Sequence, residues 1–254
     1  MPTTAGEIVA VLDELLHPAS FADYCPNGLQ VPGRERVQRL VSGVSAQLEL
    51  FGRARELGAD LVLVHHGLFW GSGPQPIDAA QKARLRALFD ADIGLLAYHL
   101  PLDAHPQLGN NALLAEGLQA ARSEPFAEHR GQPIGRRVWF EGPGVPADEL
   151  LARVHALTGR EPLAFLAGPE RVRTMGIVSG AAAGHLDDAI ALGLDAFLTG
   201  EPAERVMAQA RESRIHFIAA GHYATETFGV RRVGELLAAR FDLEHTFVDV
   251  PNPV

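Results

Sequence analysis

Two adjacent imidazoles, His65 and His66, stand where an aliphatic run, Asp60-Leu-Val-Leu-Val64, comes to a stop. The run is β-branched at Val62 and Val64, and its length and composition suit a strand buried on both faces. Ligands of open α/β sheets collect beyond the carboxyl ends of strands, so a histidine pair there is placed for chemistry. Neighbours in an extended chain point opposite ways. A turn at Gly67, free of a Cβ clash, is expected to bring both rings toward one point.

A second spacing occurs twice. His99 precedes Asp103 by four residues, and His222 precedes Glu226 by four. Pro101 lies between the first two, so that pair is expected on a loop. Residues 224–240 read as helix, which would turn His222 and Glu226 the same way so that both could grip one ion. Collected, His65, His66, Asp103, His222 and Glu226 give three imidazoles and two carboxylates, with His99 nearby. That is more than a four-coordinate ion needs. A bridging carboxylate with histidine and aspartate ends suits two divalent ions about 3.5–4 Å apart. Such a pair lowers the pKa of a bridging water enough to supply hydroxide near neutral pH, and it polarises the oxygen of the group attacked. The ligand set is of borderline softness, compatible with zinc, iron or manganese. Glu226 would bridge or help hold the ions, and His99 would carry a proton.

The elements that must position these residues repeat. A helix capped by Thr3 or Thr4 runs to about Leu16, with Ile8, Val9, Leu12, Leu15 and Leu16 on one stripe. Residues 18–33 read as a loop, punctuated by Pro18, Pro26, Asn27-Gly28, Pro32 and Gly33. Then come a strand Val37–Val44, a helix from Ala46 ending at Gly58, the strand Asp60–Val64, a helix 78–91 and a strand Ile93–Tyr98. A helix starts at Asn110 or Asn111. The grammar returns in the strand Met175–Ser179, a helix to Ala191, Gly193, the strand Asp195–Leu198, a helix 203–211, the strand Ile215–Ala219 and a final helix. A period near 123–137 residues predicts an internal duplication. The expected division is 1–125, with the His-His and His-x3-Asp motifs, and 126–254, with Thr199-Gly200-Glu201 and Gly221-His222-x3-Glu226. Between the copies, Arg136–Phe140 and Leu163–Leu166 are strand-like and Pro146–Leu157 is helical.

Composition narrows the function classes. A chain of 254 residues, 47% hydrophobic and 21% charged, has ample material for a core. Its net charge of −9 lacks the electrostatic footprint of a nucleic-acid binder. The single cysteine, Cys25, rules out an internal disulfide and any multi-cysteine metal site. No signal-like N-terminus and no run of 18 apolar residues is present, so a cytoplasmic protein with no membrane span is expected.

Six segments carry a resemblance: Asn27-Gly28-Leu29-Gln30, His65-His66-Gly67-Leu68-Phe69, Tyr98-His99-x3-Asp103, Gly109-Asn110-Asn111, Thr199-Gly200-Glu201 and Gly221-His222-Tyr223-x2-Glu226. Across nearly the whole chain, these resemble the NGG-interacting-factor-like family, catalogued in bacteria as type 2 GTP cyclohydrolase I homologues. The resemblance implies two similar α/β domains packed across each other, a dinuclear metal site between them, and toroidal homohexamers. It places the ligands on His65, His66, Asp103, His222 and Glu226. The chain departs from the family pattern at Gly67, where proline is usual, at Leu100-Pro101, where Thr-Asn is usual, and at Pro202–Arg205, which lacks a usual histidine.

Three functions follow as expectations. The first is a metal-dependent hydrolase acting on a small molecule, nucleotide-like if the catalogue name holds. The second is a non-catalytic metal-binding or regulatory ring assembly. The third and weakest is nucleic-acid binding within a ring, which the acidic balance opposes. Other features read as structural. The loop Ser179-Gly180 to Gly184-His185 is expected to be a tight turn, and Cys25 a passive thiol. Phe69 and Trp70 are expected at a pocket mouth or an interface.

Overall fold

A computed structural model of the chain describes residues 3–71, 73 and 76–254. The N-terminal stretch expected to lack a signal sequence therefore starts, at Met1 and Pro2, outside the described residues. The chain forms two compact units. One comprises Met1–Leu102 and Gly229–Val250, the other Asp103–Phe228 and Pro251–Val254. The expected division at 125/126 had no such return of the chain, which follows from the strand Glu244–Phe247: unanticipated from sequence, it pairs in parallel with Arg39–Ser45 and brings 229–250 back to the first sheet.

The first unit opens with the helix Ala5–Leu16. Thr4 accepts from Glu7 N at 3.2 Å, and the Glu7 carboxylate accepts from Thr4 N at 2.8 Å, a reciprocal cap that satisfies two helix-end donors. Ile8, Leu12 and Leu16, one turn apart, are its buried face. The five-stranded sheet runs in the order Glu244–Phe247, Arg39–Ser45, Leu61–His66, Gly94–Ala97, Gly28–Val31. Its first four strands are parallel, and the last is an antiparallel edge. That edge strand lies inside the stretch expected to be loop. Its prolines, Pro26 and Pro32, flank the paired residues rather than interrupting them, so the ladder survives. Leu61 to Val64 are fully buried, as their aliphatic run predicted. Phe51, Leu88, Ile93 and Leu95 pack with Val62 and Val64.

The second unit is built on a six-stranded sheet in the order Leu163–Phe165, His216–Ala219, Ala196–Thr199, Thr174–Val178, Gln132–Trp139, Arg122–His129. The central three strands are parallel, as the strand–helix–strand grammar requires. Arg122–His129 is a strand that sequence reasoning did not assign; it contains Pro125, which is tolerated at this sheet edge. Arg130 and Gly131, both at positive φ, close its hairpin with Gln132–Trp139. Leu114, Val138, Val154, Met175, Ile177 and Leu198 form the core.

Two local expectations are corrected. Residues Leu100–Ala104 are helical despite Pro101. Proline there sits in the first turn, where its missing N–H would have had no intrahelical acceptor. The helix expected through 224–240 is broken. His222–Thr225 and Thr227–Phe241 are separate helices, and Glu226 caps the first at φ −115. Among the described residues, no helix is long and apolar enough to cross a membrane.

Candidate metal centre

In the first unit, the strand does not stop before the histidines. It continues through them, as Leu61–His66. The two rings nevertheless meet, with centroids 4.7 Å apart and planes tilted by 46°. His99, just past the strand Gly94–Ala97, joins them at 4.9 Å from His65 and 5.6 Å from His66. One ligand atom from each of the three lies within 4.8 Å of the others, so the cluster could hold a metal ion. Every ring is anchored through Nδ1. His65 Nδ1 is 3.1 Å from the Tyr98 carbonyl, His66 Nδ1 is 3.0 Å from Ser45 Oγ, and His99 Nδ1 is 2.7 Å from Asp23 Oδ1. A neutral imidazole that donates from Nδ1 to a carbonyl carries its lone pair on Nε2, and such outer partners orient metal-binding histidines.

Gly67 serves this arrangement by space rather than by φ, which is not positive there. A Cβ there would lie 2.3 Å from Gln30 Nε2. Gln30 in turn accepts from Leu68 N at 2.7 Å, so the Asn27–Gln30 segment packs against the turn after the histidines. Asn27 Oδ1 accepts from His99 N at 2.7 Å.

The second unit gathers carboxylates. His222 Nδ1 is 2.5 Å from Glu201 Oε1, and its Nε2 is 3.1 Å from Glu226 Oε2. Burial works against the charged imidazole, but Glu226 and then Glu201 outweigh it and raise the His222 pKa to about 9. So the expected same-side placement of His222 and Glu226 holds without a continuous helix. Asp103 is buried, accepting from Asn110 Nδ2 at 2.8 Å and from Ser179 Oγ at 3.2 Å. The adjacent Gly180, at φ +69, brings its backbone against Glu226, where a Cβ would stand 2.3 Å from Oε1. The Ser179-Gly180 turn thus touches both Asp103 and Glu226. It is a tight turn, as expected, but one fitted to acidic side chains. His185 bonds Asp188 at 2.7 Å, a helix-start contact.

Sequence reasoning assigned no role to Asp23, Ser45 or Glu201, each of which fixes an imidazole. Only Glu201 had a signal, inside Thr199-Gly200-Glu201. Cys25, read as passive, lies with Asp23 and His99. Phe69 and Trp70 line a cavity, as expected of a pocket mouth.

Fold and site together define an α/β protein carrying His, Asp and Glu groups able to hold metal. Residues 3–253 match the Duf34/NIF3 (NGG1p interacting factor 3) family, and the chain belongs to it. Relatives named GTP cyclohydrolase 1 type 2 homolog include that of Pseudomonas aeruginosa, 46% identical over 100% of both chains. That of Escherichia coli K12 is 43% identical over 97% of this chain and 98% of its own. A solved structure of the protein ybgI superposes with a TM-score of 0.92 at 42% identity, covering 99% of this chain and 100% of that one. TTHA1606 from Thermus thermophilus gives 0.90 at 38%, with the same coverage.

Proposed function

We propose that the chain is a metal-dependent hydrolase in which His65, His66, Asp103, His222 and Glu226 hold two divalent ions. Each unit is read as one copy of an internal duplication, and six chains as a ring. The observation that carries the proposal is the His65–His66–His99 cluster, with each ring anchored through Nδ1 and its ligand atoms within 4.8 Å. The donor set suits borderline cations such as zinc, iron or manganese. Burying the Asp103 carboxylate is costly without opposite charge, which a divalent ion would provide. When bound, the ions would supply an acidified water and polarise the oxygen of the group under attack.

The chain's own residues do the rest. Asp23 holds the His99 ring in place through Nδ1 at 2.7 Å, and His99 would pass a proton to a leaving group. Glu201 holds the His222 ring in place. Trp70 and Phe69 wall the cavity beside His99, where a flat heteroaromatic group such as a nucleobase would stack. The relatives' name, GTP cyclohydrolase 1 type 2 homolog, makes purine nucleotides the first substrates to try.

The test is turnover by metal-loaded protein on nucleotide and phosphoester panels, for the wild type and for Asp103→Ala and Glu226→Ala. Turnover lost in both variants supports the proposal. Metal bound without turnover would favour the non-catalytic binding protein. Light scattering in solution tests the hexamer.

A further inference from the structure

Asp23, Cys25 and His99 form another cluster, wholly inside the first unit, with one ligand atom from each within 4.8 Å of the others. The Asp23 side chain is 3% exposed and Cys25 is 5% exposed. Asp23 is rigidly held, because it accepts from Tyr24 N at 2.6 Å, Asn27 Nδ2 at 2.9 Å and Leu100 N at 2.9 Å. Its Oδ1 is also the atom facing His99 Nδ1 at 2.7 Å. Asp23 and Cys25 line a cavity of about 940 Å³, walled further by Phe21, Phe69 and Trp70, which provides an entry path.

One carboxylate, one imidazole and one thiol in such proximity differ chemically from the all-imidazole set on the other side of His99. A thiolate selects softer cations than nitrogen or oxygen donors do. We infer that Asp23, Cys25 and His99 form a site for one thiophilic divalent cation of the zinc and cadmium class. The inference does not rest on the dinuclear reading. On binding, the ion takes the place of the proton between His99 Nδ1 and Asp23, that proton moves to His99 Nε2, and the Cys25 thiol gives up its own proton to solvent. A water from the cavity completes a four-coordinate shell. Filling this site occupies His99 Nδ1 and breaks its contact with Asp23, so soft cations would act here as inhibitors of any chemistry that needs that pair.

The experiment is a cadmium titration of the metal-stripped full chain, followed by thiolate-to-cadmium charge-transfer absorption in the ultraviolet. Cys25 is the sole cysteine, so the band reports this position alone. The expected result is a band that saturates at one equivalent per chain. It should be absent in Cys25→Ser, which binds one ion fewer, weakened in Asp23→Asn, and retained in His65→Ala. Retention in His65→Ala separates this site from the histidine cluster, whose failure would leave the band untouched. Should Cys25→Ser fold poorly by circular dichroism, Cys25→Ala and Asp23→Asn carry the comparison. No band in the wild type overturns the inference, as does a band that does not saturate and is indifferent to Asp23→Asn.

Discussion

The two units present their chemistry with opposite electrical character. In the first, a strand continues straight into its histidines, and the cluster His65, His66, His99 is rich in nitrogen. Two of its rings are anchored by neutral oxygens, those of Tyr98 and Ser45. In the second, the strand Ala196–Thr199 ends at Gly200, and the groups lie on turns and helix ends beyond the sheet. There two carboxylates flank one imidazole, and glycines at 180 and 200 make room, since a Cβ at Gly200 would lie 2.7 Å from His222 Cα. Imidazoles at the carboxyl end of a strand need only strand register. A packed set of carboxylates needs backbone that no side chain obstructs.

The largest predicted effect tests that last point. Gly180→Ala forces a side chain into a left-handed conformation and onto Glu226, for about 3–4 kcal/mol of lost stability. Gly131→Ala has a similar φ of +85 but open space around it, and should cost only about 1 kcal/mol. Urea denaturation of both variants separates strain from overlap. Equal losses would show that Gly180 is kept for its φ alone.

The next prediction concerns what the units share. Asp60 accepts from Gln38 N at 2.8 Å and Arg39 N at 2.9 Å, while Asp195 accepts from Arg173 N at 2.8 Å and Thr174 N at 2.9 Å. In each case an aspartate just before a central strand ties down the start of the neighbouring one. Asp60→Ala and Asp195→Ala should therefore cost similar amounts, about 2 kcal/mol each, from stranded backbone donors. A large inequality in denaturation midpoints would show that the resemblance is one of sequence only.

A smaller effect separates the sites. Ser45→Ala removes the hydroxyl beside His66 Nδ1 and should weaken metal binding by about 10–100-fold while leaving stability nearly unchanged. Calorimetric titration with zinc checks this, and unchanged affinity would deny Ser45 an orienting role.

The smallest effect is in pH dependence. Burial holds the His245 pKa below its usual 6.5, against a weaker opposing pull from Glu235. The unfolded chain therefore binds the proton more readily. Stability from this group is complete above about pH 6.5 and declines as pH falls toward the folded pKa. His245→Gln should flatten that part of the stability curve, and an unchanged slope would assign the dependence elsewhere.

Much of this was legible in the residues. The buried run Leu61–Val64 announced a central strand, Thr4 and Glu7 announced a helix start, and Gly58 and Gly193 fall at φ +67 and +62 where helices end. Family membership was legible too, from six motifs. What escaped depended on long-range pairing. Gly28–Val31 looks like loop until Gly94–Ala97 pairs with it, and Glu244–Phe247 carries no local sign that its partner lies some 200 residues earlier. Asp23 is one of several loop acids until it meets His99, 76 residues away. Pro101 misled because a rule about helix interiors was applied to a first turn.

Metal content of the untagged full chain, measured by mass spectrometry beside Asp103→Ala and His65→Ala, tests the central claim most directly. The account predicts no fewer than about two transition-metal ions per wild-type chain, and at least one lost in each variant. A wild-type protein free of stoichiometric metal after purification and metal reloading would contradict it.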